Sequence, residues 1–157
     1  MKKGDKVGIV CCSNGQKNSY REKIALLRDT LENMGLVPVF SDYIYEKEDV
    51  FSGTAKERAK ALMDFYKDDT IKAIYDISGG DVANSILPYL DFGVIKKSDK
   101  EFWGYSDLTT IVNAMYAKTG KASVLRCCVI KVWVWVFPMW MRGTVSDIQR
   151  SPREPLQ

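Results

Sequence analysis

Apolar and polar positions along residues 1–125 predict strands and helices in turn. Short runs rich in β-branched and apolar residues are typical of strands, and apolar residues three and four apart are typical of helices. The predicted strands cover residues 6–12, 36–40, 71–77 and 101–105. The predicted helices cover residues 20–34, a segment that follows Thr54, a short segment at 82–87, and residues 107–118. Residues 91–93 are expected to form a loop.

Local signals indicate where several of these elements begin and end. Thr54 and Glu57 have the Thr-x-x-Glu spacing of a capping box, which predicts a helix start. Gly35 and Gly120 follow predicted helices and are expected to end them. Pro38 lies in the second predicted strand, and because proline cannot donate to a ladder, this strand is expected at an edge of the sheet.

This alternation predicts an α/β domain over residues 1–125, with a flavodoxin-like three-layer architecture and helices on both faces of a mostly parallel sheet. Ligands and reactive groups in such sheets gather at the carboxyl ends of the strands. Three predicted loops lie there, at residues 13–16, 78–81 and 105–107. We therefore expect the functional residues in these loops.

Charge and composition change this picture only after residue 125. Residues 1–125 carry equal numbers of basic and acidic side chains, whereas residues 126–157 carry five basic and two acidic ones, which supply the net charge of +3. This field is too weak to favour a nucleic-acid partner. Residues 124–141 are mostly apolar, but Arg126, Lys131 and Pro138 interrupt them, so a membrane helix is not predicted.

Residues 126–157 therefore form a separate, atypical tail in this interpretation. Residues 132–136 have the alternation of a strand, and residues 151–155 are typical of disorder. The hypothesis for its origin is a reading-frame shift near codon 126, which would make the tail aberrant and which the neighbouring frames of the gene would test. The alternative is that residues 124–136 form a genuine strand with apolar surface for a partner. Helices and strands that a second domain would cover are expected to expose apolar surface. This surface predicts poor solubility and makes a homodimer one of the expected states.

The cysteine spacing and the N-terminal residues each support one prediction. The four cysteines form two adjacent pairs, at 11–12 and 127–128, without the spacing of zinc ligands or of a CxxC redox motif. They are expected to be buried free thiols. The first six residues are polar and unlike a signal peptide, so a cytoplasmic location is expected.

The most informative candidate for chemistry is Ser106, in the sequence Gly104-Tyr105-Ser106-Asp107 between a predicted strand and a predicted helix. A tight turn there can expose the hydroxyl, and the next N–H group can face an oxyanion. Gly104 permits close packing, but the second glycine of G-x-S-x-G is missing. On the motif alone, a serine that caps a helix is the favoured interpretation.

Two further loops contain turn residues. Gly79 and Gly80 let the backbone approach a ligand closely, with N–H groups for an oxyanion or a phosphate, although a turn that needs positive φ fits equally. Loop 13–16 lacks the G-x-G-x-x-G pattern and is predicted to be a turn, with an anion site as the functional alternative.

Several segments together resemble the LD-carboxypeptidase family, which includes the microcin-C immunity peptidases. In one-letter code they are GDKVGIV at 4–10, SGT at 52–54, ERA at 57–59, IKAI at 71–74, SGG at 78–80, LPYLD at 87–91 and GYSDLT at 104–109. Their order and spacing match the family across about residues 4–125. As a set they favour a nucleophile over a helix cap for Ser106.

The resemblance implies a cytoplasmic serine peptidase that cleaves an L,D peptide bond in a murein-derived or microcin-like peptide. It implies that Ser106 is the nucleophile and that the backbone N–H groups of Asp107 and Gly80 form the oxyanion hole. No metal or organic cofactor is expected. The family takes the glutamate and histidine of its triad from a C-terminal domain.

The chain departs from this pattern in one chemical respect, because its 157 residues contain no histidine. A serine hydroxyl is a poor nucleophile without a base, and the resemblance indicates no lysine placed for that task. We therefore predict a truncated form that lacks the C-terminal catalytic domain and has background activity. The alternatives are a flavodoxin-like module that binds a nucleotide or sugar phosphate, and a non-catalytic interaction protein that uses the tail.

Overall fold

A five-stranded parallel sheet forms the centre of the domain in the computed structural model, which describes residues 1–47 and 49–125. Its strands are β1 (Lys6–Val10), β2 (Val37–Phe40), β3 (Ile71–Asp76), β4 (Glu101–Gly104) and β5 (Val124–Leu125). They are ordered β2-β1-β3-β4-β5, and each neighbouring pair is parallel. The predicted α/β class is confirmed, and β2 is at an edge, as its proline indicates.

Helices connect the strands in the described part of the chain. The α-helices are α1 (Arg21–Asn33), α2 (Ala55–Lys67), α3 (Phe92–Lys97) and α4 (Thr109–Thr119), and short 3-10 helices cover Asn18–Tyr20, Ala83–Tyr89 and Ser106–Leu108. The loop predicted at 91–93 is wrong. Asp91 instead caps α3, because its carboxylate accepts hydrogen bonds from the N–H groups of Gly93 and Val94.

Alternate residues of the central strands face opposite sides of the sheet, and helices cover both sides. Val7 and Ile9 of β1 pack in one buried cluster with the apolar face of α1. Val10 of β1 and Ile74 of β3 belong to a second cluster, on the other side of the sheet, which contains buried residues of α2, α3 and α4. The result is the predicted three-layer arrangement.

The predicted helix signals work as expected. The Thr54 hydroxyl accepts a hydrogen bond from the N–H of Glu57 at 3.2 Å, and the Glu57 carboxylate accepts one from the N–H of Thr54 at 2.8 Å. Gly35 and Gly120 follow α1 and α4 with φ values of +81° and +73°, which glycine adopts without a steric penalty. The capping box and both helix stops are confirmed.

Cys11 and Cys12 are buried free thiols, as predicted. Burial raises the pKa of both thiols well above the usual range for cysteine. Among the described residues, none of the helices has the length and apolar character needed to cross a membrane. The second cysteine pair, and the strand, disorder and frame-shift hypotheses for residues 126–157, lie outside the described residues.

Candidate active site

The loops that follow β1, β3 and β4 meet at one edge of the sheet, because these strands are neighbours and parallel. The Ser13 hydroxyl donates a hydrogen bond of 2.5 Å to the Asp107 carboxylate. The N–H of Asn14 donates one of 3.2 Å to the carbonyl of Gly79. The structure therefore brings together all three loops that the sequence predicts to be functional.

Ser106 is the first residue of the 3-10 helix, at the sharp turn two residues after β4 ends. Its φ is +57°, a left-handed conformation that L-amino acids rarely adopt, and its side chain is exposed. Gly104 allows this turn, because a Cβ at that position would lie 2.9 Å from Cδ1 of Leu108. Tyr105 occupies the cap position of the 3-10 helix, so the interpretation of Ser106 as a helix cap is wrong. A strained serine between a strand and a helix is the geometry of a nucleophile elbow.

Position 80 requires glycine, both because of its backbone conformation and because a side chain there would collide with Asn14. Its φ is +142°, and a Cβ there would lie 2.3 Å from Cγ of Asn14. Neither the main-chain N–H of Gly80 nor that of Asp107 donates to an acceptor within residues 1–47 and 49–125. Within the described residues these two N–H groups are therefore available as donors, and an oxyanion hole needs donors of this kind.

Loop 13–16, by contrast, uses its main-chain donors within the protein. The pairs are Ser13 N–H to Ser78 Oγ, Asn14 N–H to Gly79 O, Gly15 N–H to Val50 O, and Gln16 N–H to Ile44 O. A phosphate cradle needs such donors to face the ligand. The structure therefore favours a turn over an anion site for this loop.

Asp76 joins the ends of β1 and β3 inside the core. Its side chain is 1% exposed. Its carboxylate accepts hydrogen bonds from the N–H of Cys12 at 2.8 Å, and from the N–H and the hydroxyl of Ser78 at 2.7 and 2.5 Å. Burial raises the pKa of Asp76, and these hydrogen bonds oppose the shift. Asp76 thereby fixes the start of both loops.

The sequence pattern did not identify the roles of Asp76, Arg58 or the Ser13 side chain. Arg58 carried a signal, because it shares the buried register of α2 with Leu62 and Phe65, four and seven positions later. A charged residue in an apolar register indicates a buried polar partner. Within the described residues, no group of three or more side chains that could bind a metal comes together.

Fold and site together define a parallel α/β domain with a strained serine at a strand end. Residues 7–125 match the sequence model of a family described as the LD-carboxypeptidase N-terminal domain. This match covers most of the sequence, so the chain belongs to the LD-carboxypeptidase family. The resemblance found in the sequence motifs is confirmed.

Relatives with assigned names agree with this placement. The chain is 30% identical to a Bacillus subtilis protein named "Probable murein peptide carboxypeptidase", over 76% of this chain and 37% of the relative. It is 34% identical to the microcin C7 self-immunity protein MccF of Escherichia coli, over 74% of this chain and 34% of the relative. A solved structure of MccF in complex with aspartyl sulfamoyl adenosine has a TM-score of 0.77 and 26% identity, covering 99% of this chain and 47% of that one. The chain thus spans less than half the length of these relatives.

Proposed function

We propose that this chain is the nucleophile-bearing part of a serine-type LD-carboxypeptidase. Ser106 would be the nucleophile, and the main-chain N–H groups of Asp107 and Gly80 would form the oxyanion hole. The observation that carries the proposal is that Ser106 is exposed and has a φ of +57°, two residues after the end of β4. Residues 1–125 are the proposed nucleophile domain, and residues 126–157 a separate tail.

The proposed reaction is hydrolysis of an L,D peptide bond. The Ser106 oxygen adds to the carbonyl carbon, and the carbonyl oxygen takes the negative charge that the two N–H groups stabilise. Collapse expels the amine of the D-residue, and water then hydrolyses the acyl-enzyme. A base must take the serine proton and return it to the leaving amine. Because these 157 residues contain no histidine, they cannot supply an imidazole for that step.

The names of the relatives support the substrate class. One relative is named for murein peptides, and another was solved with aspartyl sulfamoyl adenosine. A murein-derived or microcin-like peptide is therefore the proposed substrate, and the cytoplasm is the proposed compartment. The engaged N–H groups of loop 13–16 argue against the alternative of a phosphate-binding module.

Fluorophosphonate labelling of the purified chain tests the nucleophile. We expect slow labelling at Ser106, because the hydroxyl is exposed but no imidazole activates it. Ser106→Ala should abolish the label, whereas Ser19→Ala, at an exposed serine outside the strand-end loops, should leave it unchanged. The labelled peptide is identified by mass spectrometry. Labelling that is distributed over other serines while Ser106 stays unmodified would contradict the proposal.

A further inference from the structure

Arg58 lies beneath the strand-end loops and binds two of them. It belongs to the second turn of α2, yet its side chain is 3% exposed. Its Nη1 donates to the carbonyl oxygens of Cys12 and Ser13 at 2.5 and 3.1 Å, at the end of β1. Its Nη2 donates to the Ser85 hydroxyl at 2.9 Å, in the 3-10 helix that follows β3. One guanidinium therefore joins the two segments that follow the neighbouring strands β1 and β3.

Asp107 closes these contacts into a ring. One oxygen of its carboxylate accepts hydrogen bonds from the Ser13 hydroxyl at 2.5 Å and from the N–H of Ala83 at 3.1 Å. Ala83 and Ser85 belong to the same 3-10 helix. We name the set Arg58, Ser13, Asp107, Ala83 and Ser85 the Arg58 ring.

The guanidinium in this ring is buried with carbonyl and hydroxyl acceptors. It takes part in no ion pair among the residues that the structure describes. Burial lowers the pKa of Arg58, and the negative charges of Asp76 and Asp107 oppose the shift. An arginine keeps its proton in proteins, so its planar fork is a permanent set of donors. Its loss would leave buried carbonyl oxygens without partners.

We propose that Arg58 and Ser13 are positioning residues that orient the main-chain N–H of Asp107 toward an oxyanion. The carboxylate that the ring holds and the N–H that the oxyanion would use belong to the same residue. The ring also reaches Ala83, three residues after Gly80, and so fixes one proposed donor relative to the other. This inference rests on the proposed function and deepens it, because it names how the two N–H groups are aligned.

A thiol at the turn gives a readout that needs no catalytic base. The variant Ser106→Cys in the full chain places a thiol at the turn. Mass spectrometry of the peptide that contains residue 106 follows the alkylation of this thiol by iodoacetamide, and the pH dependence of the alkylation rate gives the thiol pKa. Aligned N–H donors stabilise a thiolate, so we expect this pKa to lie below the ordinary value of about 8.5. Adding Ser13→Ala or Arg58→Lys should raise it by about one unit, a roughly tenfold smaller thiolate fraction at neutral pH.

The two added substitutions distinguish an effect on the orientation of the N–H donors from an effect of the positive charge or of folding stability. Ser13→Ala removes the hydrogen bond to Asp107, together with a longer one of 3.4 Å from the N–H of Val82, without a change of charge. Arg58→Lys keeps the charge but loses the planar fork. Arg28→Lys, at an exposed arginine of α1, is the matched control and should leave the thiol pKa unchanged. Thermal unfolding is measured in parallel, since a merely structural role would lower Tm without moving the thiol pKa.

The outcomes distinguish the two proposals. A low thiol pKa that Ser13→Ala and Arg58→Lys leave unchanged would overturn the positioning role and leave the proposed function standing. An ordinary thiol pKa in Ser106→Cys alone would overturn the proposed function, and the positioning role with it. If Arg58→Lys does not fold, Ser13→Ala decides the question, because it deletes a single hydroxyl.

Discussion

Ser106 carries a conformational cost that a pair of substitutions measures. A left-handed backbone conformation raises the free energy of any residue with a Cβ, whereas glycine adopts it without this cost. We expect Ser106→Gly to be more stable than Ser106→Ala by about 1 kcal/mol in urea unfolding. Ser19, whose φ is not positive, is the control, and there the glycine variant should be the less stable one. Equal stability of the two Ser106 variants would contradict the strain.

Gly80 combines an unusual backbone with a close contact, and Gly4 separates the two effects. Both have positive φ, but a Cβ at Gly4 would meet nothing within 4 Å, whereas one at Gly80 would meet Asn14. We expect Gly80→Ala to lose about 1–3 kcal/mol more stability than Gly4→Ala, because it overpacks the loop. Adding Asn14→Ala should recover part of that loss. Denaturant unfolding measures all of these values, and equal losses at the two glycines would show that space is not limiting at Gly80.

Asp76 predicts a pH dependence of stability. Burial raises its pKa in the folded state above the value of about 3.9 in the unfolded chain, so the native state binds more protons between the two values. Stability present below the unfolded pKa is therefore lost as pH rises through this window. We expect the stability of the wild type relative to Asp76→Asn to fall as pH increases from acid to neutral, measured by urea unfolding. Asp64→Asn on the surface of α2 is the control, and parallel curves for wild type and Asp76→Asn would refute the idea.

At the scale of the elements, periodicity is sufficient for the long segments. The apolar positions of α1, α2 and α4 repeat over several turns, and β1, β3 and β4 are compact apolar runs, so local pattern identifies them. The six residues of α3 are too few to show a helical period. The two residues of β5 are defined by their pairing with Trp103 and Gly104. A tertiary contact of that kind leaves no local pattern.

The candidate site also contains residues that local sequence patterns predict and residues that they do not. The strand-end positions of Gly80 and Ser106 were predictable, because turn residues are local features and parallel strands end at one edge of the sheet. The proposed role of Ser106 needed the family resemblance, since its motif alone favours a helix cap. The contacts of Arg58 were not predictable. The buried register of α2 indicates that Arg58 needs a polar partner, but its acceptors in Cys12 and Ser13 are 46 and 45 positions away in sequence, so a short-range pattern does not identify them.

The capping box at the start of α2 is a test at this scale. Thr54→Ala removes the acceptor for the N–H of Glu57, and we expect a loss of about 1 kcal/mol in the free energy of unfolding. Thr30→Ala is the matched control, because that hydroxyl bonds to Leu26 within α1 and caps no helix end. It should change stability by less than about 0.5 kcal/mol. Equal effects at both threonines would show that the cap is unimportant.

At the scale of the whole molecule, the absence of histidine predicts a catalytic deficit. We expect the purified 157-residue chain to release D-alanine from a murein tetrapeptide at the background rate. Loss of the base and its orienting acid removes several orders of magnitude from a serine peptidase even with an intact oxyanion hole. Ser106→Ala should therefore be no slower than the unmodified chain. Robust release that depends on Ser106 would show that another group acts as the base.

The hydrogen bond between Ser13 and Asp107 also determines when, during translation, the candidate site can form. Its partners are 94 positions apart, so β1 is translated long before the turn that follows β4. At ordinary elongation rates, the delay is roughly 5–20 s. In nascent chains that stop short of residue 107, loop 13–16 would lack the Asp107 carboxylate as a partner. The proposed site is therefore completed late in synthesis, and fragments released before residue 107 would lack both this carboxylate and the N–H group proposed for the oxyanion hole.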